Sequence, residues 1–141
     1  MILSIQTYKK TEFIDITSKV LAEVKRSRIS DGLCMIYVPH TTAGITINEA
    51  ADPSVKEDII MALNKMIPET LNYGHAEGNS PAHVKSSLVG VSTTVAIEKD
   101  ELVLGTWQGI FFCEFDGPRN RKVYLKFINN DIKKRAGVNY S

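Results

Sequence analysis

Residues 91–127 read VSTTVAIEKDELVLGTWQGIFFCEFDGPRNRKVYLKF, and this stretch decides the fold. Four apolar segments of strand length follow one another in it, at residues 91–98, 101–105, 109–115 and 121–127. Turn sequences separate them: Lys99-Asp100 lies between the first two segments, and Asp116-Gly117-Pro118 precedes the last. We expect strands joined so closely to run antiparallel, because a parallel neighbour needs a long crossover connection.

Upstream of that stretch, the sequence predicts four more strands and the helices. The strands are expected at residues 2–8, 11–17, 33–38 and 44–48. Thr17 or Ser18 can cap a short helix, and Asp31-Gly32 is typical of a turn. The clearest helix start is Asp52-Pro53, with aspartate as the cap and proline in the first helical position. A short third helix is expected around residues 83–89.

Together these elements predict one α+β domain over residues 1–141, with a mostly antiparallel, β-sandwich-like core and two or three flanking helices. Hydrophobic residues make up 43% of the chain and charged residues 23%, an ordinary globular composition. No apolar run approaches the roughly 20 residues of a membrane-spanning helix, and the N-terminus lacks the pattern of a secretion signal. We therefore expect a cytoplasmic protein without a membrane partner. Cys34 and Cys113 lie in apolar runs and are expected to be buried free thiols.

The charge of the chain gives little sign of a nucleic-acid partner. The formal net charge is +1, although seven Lys or Arg and one acid lie between Pro118 and the C-terminus. Residues 49–77 are acidic instead, with six acids and two lysines. One tryptophan and scattered basic residues make no RNA-binding motif, so nucleic acid is not expected to bind. Lys133-Lys134-Arg135 is expected to be a solvated tail.

Three histidines, the only ones in the chain, lie in polar segments typical of turns. His40 directly follows the apolar strand that Pro39 ends, and His75 and His83 flank a polar segment containing glycine. A neutral imidazole offers one lone pair to a divalent metal, and three such ligands make a common site with an open position. The spacing alone leaves a second interpretation open, in which these are surface or hydrogen-bonded histidines.

Polar residues at the end of the strand that follows His40 are further candidates. Asn48, Glu49 and Asp52 could ligate a metal, support a histidine or act as a general base. Asp52 is explained equally well as a helix cap, so Glu49 is the stronger candidate. Glu77, in the central loop, is another.

Two glycines, Gly105 and Gly109, bracket Trp107 and Gln108 between apolar strands. They indicate a bulge that re-aims both side chains, and the Gln108 amide supplies a donor and an acceptor. The alternative is a structural bulge with Trp107 in the core.

Arg119 and Arg121 lie in a predicted hairpin loop, residues 116–121. The turn itself needs only the aspartate, glycine and proline of that loop. An arginine fork suits a phosphate group, so Arg119 is predicted to bind phosphate through a forked contact. Plain surface arginines remain the alternative.

Taken together, these segments resemble the YjbQ family, the so-called secondary thiamine-phosphate synthases. The similarity runs over nearly the whole chain in four stretches: residues 40–53 (HTTAGITINEAADP), residues 75–83 (HAEGNSPAH), residues 104–110 (LGTWQGI) and residues 114–119 (EFDGPR).

The resemblance implies a sandwich-like α+β fold, a homotrimer with its site near subunit boundaries, and a site of histidines and carboxylates. A divalent metal is implied on His40, His75 and His83, zinc in the first place, with magnesium compatible with a diphosphate substrate. Arg119 would help to neutralise a departing diphosphate. Glu49 and Gln108 are the other expected catalytic residues.

Two functions are therefore expected from the sequence. The first is a metal-assisted enzyme acting on a phosphorylated small molecule, with thiamine-phosphate synthesis the reaction implied by the resemblance. The second is a non-catalytic protein that binds a metal or an anionic metabolite. Both would use the same site, so the sequence does not separate them.

Overall fold

The computed structural model describes residues 1–130, which form eight strands and three helices. The strands are β1 Ile2–Gln6, β2 Glu12–Asp15, β3 Asp31–Tyr37, β4 Ala43–Glu49, β5 Ser92–Glu98, β6 Glu101–Leu102, β7 Gln108–Glu114 and β8 Asn120–Asn129. The helices are α1 Thr17–Ser27, α2 Pro53–Met66 and α3 Ser80–Val89. The α+β class is confirmed. The predicted solvated tail, Lys133-Lys134-Arg135, lies outside the described residues.

The strands form two sheets in which every neighbouring pair is antiparallel. One sheet has the order β1-β8-β3-β5-β6, and the other has the order β2-β7-β4. The main core lies between them, where Ile36 and Val123 of the larger sheet pack in the same cluster as Ile45 and Phe112 of the smaller one. Two-residue alternation in β3 and β8 gives the larger sheet one buried and one exposed face.

The smaller sheet is buried on both faces, because α2 and α3 cover its outer side. Phe111 and Cys113 of β7 pack there with Leu63 of α2 and Ala82 of α3. A continuous apolar run such as that of β7 is what a strand with two buried faces needs. Within residues 1–130, no helix is long and apolar enough to cross a membrane.

Both cysteines are buried free thiols, as predicted. Burial raises the pKa of Cys34 to about 11 and raises that of Cys113 further. Neither thiol is therefore ionised near neutral pH, which fits a role in packing.

The predicted helix start at Asp52 is confirmed. Its Oδ1 accepts a hydrogen bond from the backbone N–H of Ser54 at 2.9 Å, and Pro53 begins α2. The predicted cap of α1 is wrong, because Ile16 occupies the cap position without a side-chain bond. The Thr17 hydroxyl instead accepts from the backbone N–H of Ile110 at 2.8 Å, tying the helix to β7.

The turn predicted at Asp31-Gly32 is also wrong, since both residues belong to β3. The chain turns earlier, where Arg28 ends α1 in the left-handed conformation with φ 59°. Gly32 is required for a different reason. A Cβ atom there would lie 2.1 Å from the carbonyl oxygen of Ile128 on β8.

The most consequential difference from the sequence prediction concerns the connections. β7 lies in the smaller sheet and β8 in the larger one, so residues 115–119 join two sheets and are not a hairpin loop. Lys99 and Asp100 do form the expected turn, since both have positive φ and β5 pairs with β6. The next segment, residues 103–107, again crosses from one sheet to the other.

Candidate functional site

Three loops that carry the chain from one sheet to the other meet at one end of the sandwich. They are residues 7–11 between β1 and β2, residues 38–42 between β3 and β4, and residues 115–119 between β7 and β8. Glu114 pairs with Ala43 on one side and with Glu12 on the other, so the ends of these loops are neighbours. Two of the loops carry predicted site residues, His40 and Arg119.

His40 is held from the side of β8. The backbone N–H of Lys122 donates to Nε2 of His40 at 2.9 Å. Burial lowers the pKa of the His40 imidazole below its ordinary value of 6.5, and the positive charge of Arg121 lowers it further. The ring is therefore neutral at physiological pH.

A buried ion pair supports the same loop. The guanidinium of Arg121, 5% exposed, pairs with the fully buried carboxylate of Glu114. Arg121 also donates to the Thr42 hydroxyl at 2.9 Å, and the Thr7 hydroxyl donates to Glu114 Oε1 at 2.7 Å. These four groups join two of the crossing loops and the end of β7 to the first residues of β8. Arg121, which the sequence placed in an exposed loop beside Arg119, is therefore a buried residue whose guanidinium is already engaged.

Sequence reasoning missed this pair, although a signal was present. Arg121 shares its two-residue register with Val123 and Leu125, the inward-facing residues of β8. An arginine on an inward face needs an acidic partner, because an unpaired buried charge is very costly.

A cleft of about 550 Å³ opens beside His40, and His83 of α3 also lines it. Its remaining walls come from the end of β3, the middle of α3 and the α3–β5 junction: Tyr37, Val38, Pro39, Thr41, Ser86, Ser87, Gly90 and Val91. The size suits a small-molecule ligand. The structure thus brings His40 and His83 to one cavity.

His75 lies beside His83 and completes the histidine group. The two rings meet edge to face with 5.4 Å between their centroids. Nε2 of His75 lies 3.7 Å from a carboxylate oxygen of Glu77, so the two candidates of the central loop are neighbours.

Arg119 lies at the tip of the third crossing loop and is half exposed. Its Nε donates to the Asp116 backbone oxygen at 2.7 Å, and its Nη2 donates to the Asp116 carboxylate at 2.9 Å. The same carboxylate accepts from the Asn79 amide at 3.0 Å, and Asn79 is the residue that precedes α3. Asn79 Oδ1 is buried and has no hydrogen-bond partner among the described residues.

Glu49 and Gln108 lie at the other end of the sandwich. They pair directly across β4 and β7, whereas Ala43 and Glu114 pair at the end beside the crossing loops. Seven-residue strands separate the two ends by about 20 Å. Trp107 is 64% exposed beside Gln108, so it is not a core residue. Within one chain the predicted catalytic residues are therefore divided between two places.

The predicted three-histidine metal site fits this arrangement only in part. Among residues 1–130, no three His, Cys, Asp or Glu side chains lie close enough to hold a metal ion. His75 and His83 are suitably close as a pair. A neutral imidazole has one lone pair, and that of His40 accepts the N–H of Lys122. His40 would have to give up this bond to coordinate a metal through Nε2.

Comparison with known proteins places these residues in a family. A family model described as "UPF0047 protein YjbQ-like" matches residues 1–130. UPF0047 protein MJ1081 of Methanocaldococcus jannaschii is 57% identical over 126 residues, which cover 89% of this chain and 91% of that protein. UPF0047 protein YugU of Bacillus subtilis is 53% identical over 127 residues, covering 89% and 96%.

Solved structures agree in fold. The crystal structure of an uncharacterized YjbQ/UPF0047 protein of Clostridium acetobutylicum is 53% identical with a TM-score of 0.89, and the match covers 91% of this chain and 99% of that one. A protein of unknown function from Sulfolobus solfataricus, described as YbjQ-like, is 31% identical with a TM-score of 0.88, covering 92% and 96%.

Proposed function

The chain belongs to the YjbQ-like UPF0047 family, and we propose that it is a transferase acting on a phosphorylated small molecule in the His40–His83 cleft. The proposal rests on the proximity of residues that come from separate stretches of the sequence. Three of the four family stretches, including His40, His83 and Asp116–Arg119, meet at the end where the crossing loops lie. The named reaction is thiamine-phosphate synthesis, as the family resemblance implies.

The reaction needs little proton transfer. The ring nitrogen of a thiazole phosphate donates its electron pair to the methylene carbon of an aminopyrimidine diphosphate. The carbon–oxygen bond breaks as the carbon–nitrogen bond forms, and pyrophosphate leaves with the bonding electrons. The protein must hold the two rings together and stabilise the charge on the leaving group.

The side chains around the cleft suit this task. His83, Thr41 and Ser87 offer hydrogen-bonding groups along its walls. Arg119 uses two of its N–H groups on Asp116, so its remaining N–H groups are available for a phosphoryl oxygen.

Turnover of the two precursors by the purified full chain tests the proposal, with thiamine phosphate and pyrophosphate both measured. His83→Ala should abolish turnover, and Glu101→Gln on β6, away from the crossing loops, should not change it. If wild-type protein forms no thiamine phosphate with zinc or magnesium present, the named reaction is wrong.

A divalent ion forms a separate part of the proposal. His75 and His83 would supply two ligands, and substrate oxygens or water the rest. Zinc suits imidazole ligands, and magnesium would arrive with the diphosphate. As a Lewis acid, such an ion would withdraw charge from the leaving group.

The second candidate is a non-catalytic protein that binds an anionic metabolite. The observation in its favour is that the cleft walls contain no carboxylate among the described residues. Tight binding of a phosphorylated compound without turnover would favour this function over the enzyme.

We also propose assembly as a homotrimer with the cleft near a subunit boundary. Several large apolar side chains on the outer face of the five-stranded sheet are 37–51% exposed: Ile2, Leu33, Met35, Tyr37, Tyr124 and Ile128. Tyr37 belongs both to this face and to the wall of the cleft. Burying such a face against another copy removes apolar surface from water. Light scattering should give three times the 15.7 kDa of one chain, and a stable monomer at micromolar concentration would refute the proposal.

A trimer would also explain why the predicted catalytic residues of one chain lie in two separate places. If Glu49 and Gln108 act in the same reaction as His83, they must reach the cleft from another copy, because about 20 Å separates the two ends of one chain. Subunit mixing tests this. Inactive His83→Ala and Glu49→Ala proteins, unfolded together and refolded, should recover part of the wild-type turnover. If the mixed proteins stay inactive, Glu49 and His83 do not complete one site from two subunits, and the proposed shared site is wrong.

A further inference from the structure

Only one tautomer of the neutral His40 imidazole is compatible with its hydrogen bond in this structure. Its Nε2 accepts the backbone N–H of Lys122 at 2.9 Å, which requires an unprotonated nitrogen at that position. The proton of the neutral ring therefore lies on Nδ1. Among the described residues Nδ1–H has no hydrogen-bond partner, so a donor at the cleft is left unused.

The strand order separates the two sides of the His40 loop. β3 lies between β8 and β5 in the larger sheet. Lys122, on β8, takes Nε2 on one side of the end of β3. The cleft wall formed by Gly90 and Val91, at the start of β5, lies on the other side. The ring is thus held from β8, whose Lys122 does not line the cleft, and it borders the cleft on its other side.

Two consecutive residues of β8 hold this orientation. The Arg121 side chain turns inward and donates to both the backbone oxygen and the hydroxyl of Thr42, at 3.3 and 2.9 Å. The Lys122 backbone donates to His40. A loop clamped at His40 and at Thr42 cannot rotate the imidazole without breaking one of these bonds.

We propose that His40 is a neutral hydrogen-bond donor that presents Nδ1–H to a phosphoryl oxygen of the ligand, and that it is not a metal ligand. This inference rests on the proposed function for the identity of the ligand. It makes Arg121 and Lys122 positioning residues, since they act on the ligand only through His40. On this side of the cleft the diphosphate would be recognised by the Nδ1–H of His40. Because this donor is already held in place, it needs no reorganisation when charge develops on the leaving group.

The tautomer can be measured without any ligand. Long-range ¹H–¹⁵N correlation spectra of the full-length, metal-free protein at pH 7.5 would show three imidazoles, and His40 is assigned by its absence from the His40→Asn spectrum. We expect a protonated Nδ1 and an unprotonated Nε2. A proton on Nε2 overturns the inference. So does a coordination shift of either His40 nitrogen when one equivalent of zinc is added.

Binding then identifies the partner of Nδ1–H. The amide nitrogen of His40→Asn lies close to the position of Nδ1 and keeps a donor there. In His40→Gln the amide lies at the Nε2 position, so contact with Lys122 is kept and the Nδ1 donor is lost. Calorimetry with pyrophosphate should give a loss of roughly 10- to 100-fold for His40→Gln and a smaller loss for His40→Asn, which gives up only the positioning contact with Lys122.

Failure of the role assigned to Nδ1–H can be distinguished from failure of the proposed function. If both variants bind pyrophosphate as wild type does, or if His40→Asn loses more affinity than His40→Gln, the role assigned to Nδ1–H is wrong while the proposed function stands. If wild-type protein binds neither pyrophosphate nor a thiazole phosphate, the proposed function fails, and the ligand assigned to His40 fails with it. Thermal melting of each variant confirms that the compared proteins are folded.

Discussion

Glu114 and Arg121 form an ion pair that joins the two sheets from inside the protein. Glu114 ends β7 of the smaller sheet, Arg121 lies at the start of β8 of the larger one, and both side chains are nearly fully buried. The pair also holds Thr7 and Thr42, one in each of the other two crossing loops. The geometry of the candidate cleft therefore depends on a buried contact between two residues that do not line the cleft.

Breaking this pair on one side should strongly destabilise the fold. Arg121→Met or Glu114→Gln leaves an unpaired buried group, and we expect a loss of about 3–5 kcal/mol in the free energy of unfolding by urea. The double variant Glu114→Leu/Arg121→Met should recover most of that loss, because no charge stays buried. Glu69→Gln, which breaks the exposed pair with Lys10, is the control and should cost less than ~1 kcal/mol. Single variants as stable as the control would contradict the role of the pair.

Gly32→Ala tests why a glycine lies in β3. The added Cβ would meet the Ile128 carbonyl at 2.1 Å, so β3 and β8 would have to separate. We expect a loss of about 1–3 kcal/mol or more in unfolding free energy. Gly74→Ala is the matched control, since no atom lies within 4 Å of its added Cβ. A Gly32→Ala protein as stable as the control would favour the turn that the sequence suggested.

The Asp116 carboxyl should titrate below its ordinary pKa. Burial alone raises its pKa, but hydrogen bonds from Asn79 and Arg119 and the charges of Arg119 and Arg121 outweigh burial, so the net pKa lies below 3.8. The unfolded chain then takes up its proton first as the pH falls. Asp116 contributes stability above pH 3.8 and loses it as the pH falls through its native pKa. The gap in unfolding free energy between wild type and Asp116→Asn should therefore shrink in that acidic range. A carboxyl ¹³C titration midpoint at or above 3.8 would show that these contacts do not form.

Arg119→Lys keeps the charge at the cleft end of the molecule and removes the planar fork. If Arg119 binds a phosphoryl group, pyrophosphate affinity should fall by about 1.5–3 kcal/mol while the melting temperature is unchanged. Arg26→Lys, an exposed arginine on α1, provides the matched control. Equal affinity and equal melting temperature in the two variants would make Arg119 a surface residue.

The metal content of the protein should depend on His75 and His83 and not on His40. Elemental analysis of protein purified without chelators should find zinc lost in His75→Ala and in His83→Ala, because these rings lie together. His40→Ala should retain it, because the His40 lone pair is used by Lys122. Zinc loss in His40→Ala as large as in His83→Ala would restore the three-histidine site. Metal retained in all three variants would place any ion elsewhere.

Much of the secondary structure follows from the sequence, because its signals are local. Two-residue alternation marks β3 and β8 as strands with one buried face, and Asp52 before Pro53 marks the start of α2. Such signals fail where a residue serves a distant partner. Gly32 looks like a turn residue but makes room for Ile128, and Thr17 looks like a cap but accepts a bond from β7.

The sequence by itself determined which segments are strands and which polar residues follow them, since both depend on neighbours along the chain. Only the tertiary structure decided which sheet each strand joins, because alternation distinguishes inward from outward positions and not one sheet from the other. That choice places residues 115–119 and 38–42 side by side and brings His40 to the cleft with His83. It also places Glu49 and Gln108 about 20 Å from the crossing loops, because β4 and β7 are extended strands and these residues lie at their far ends.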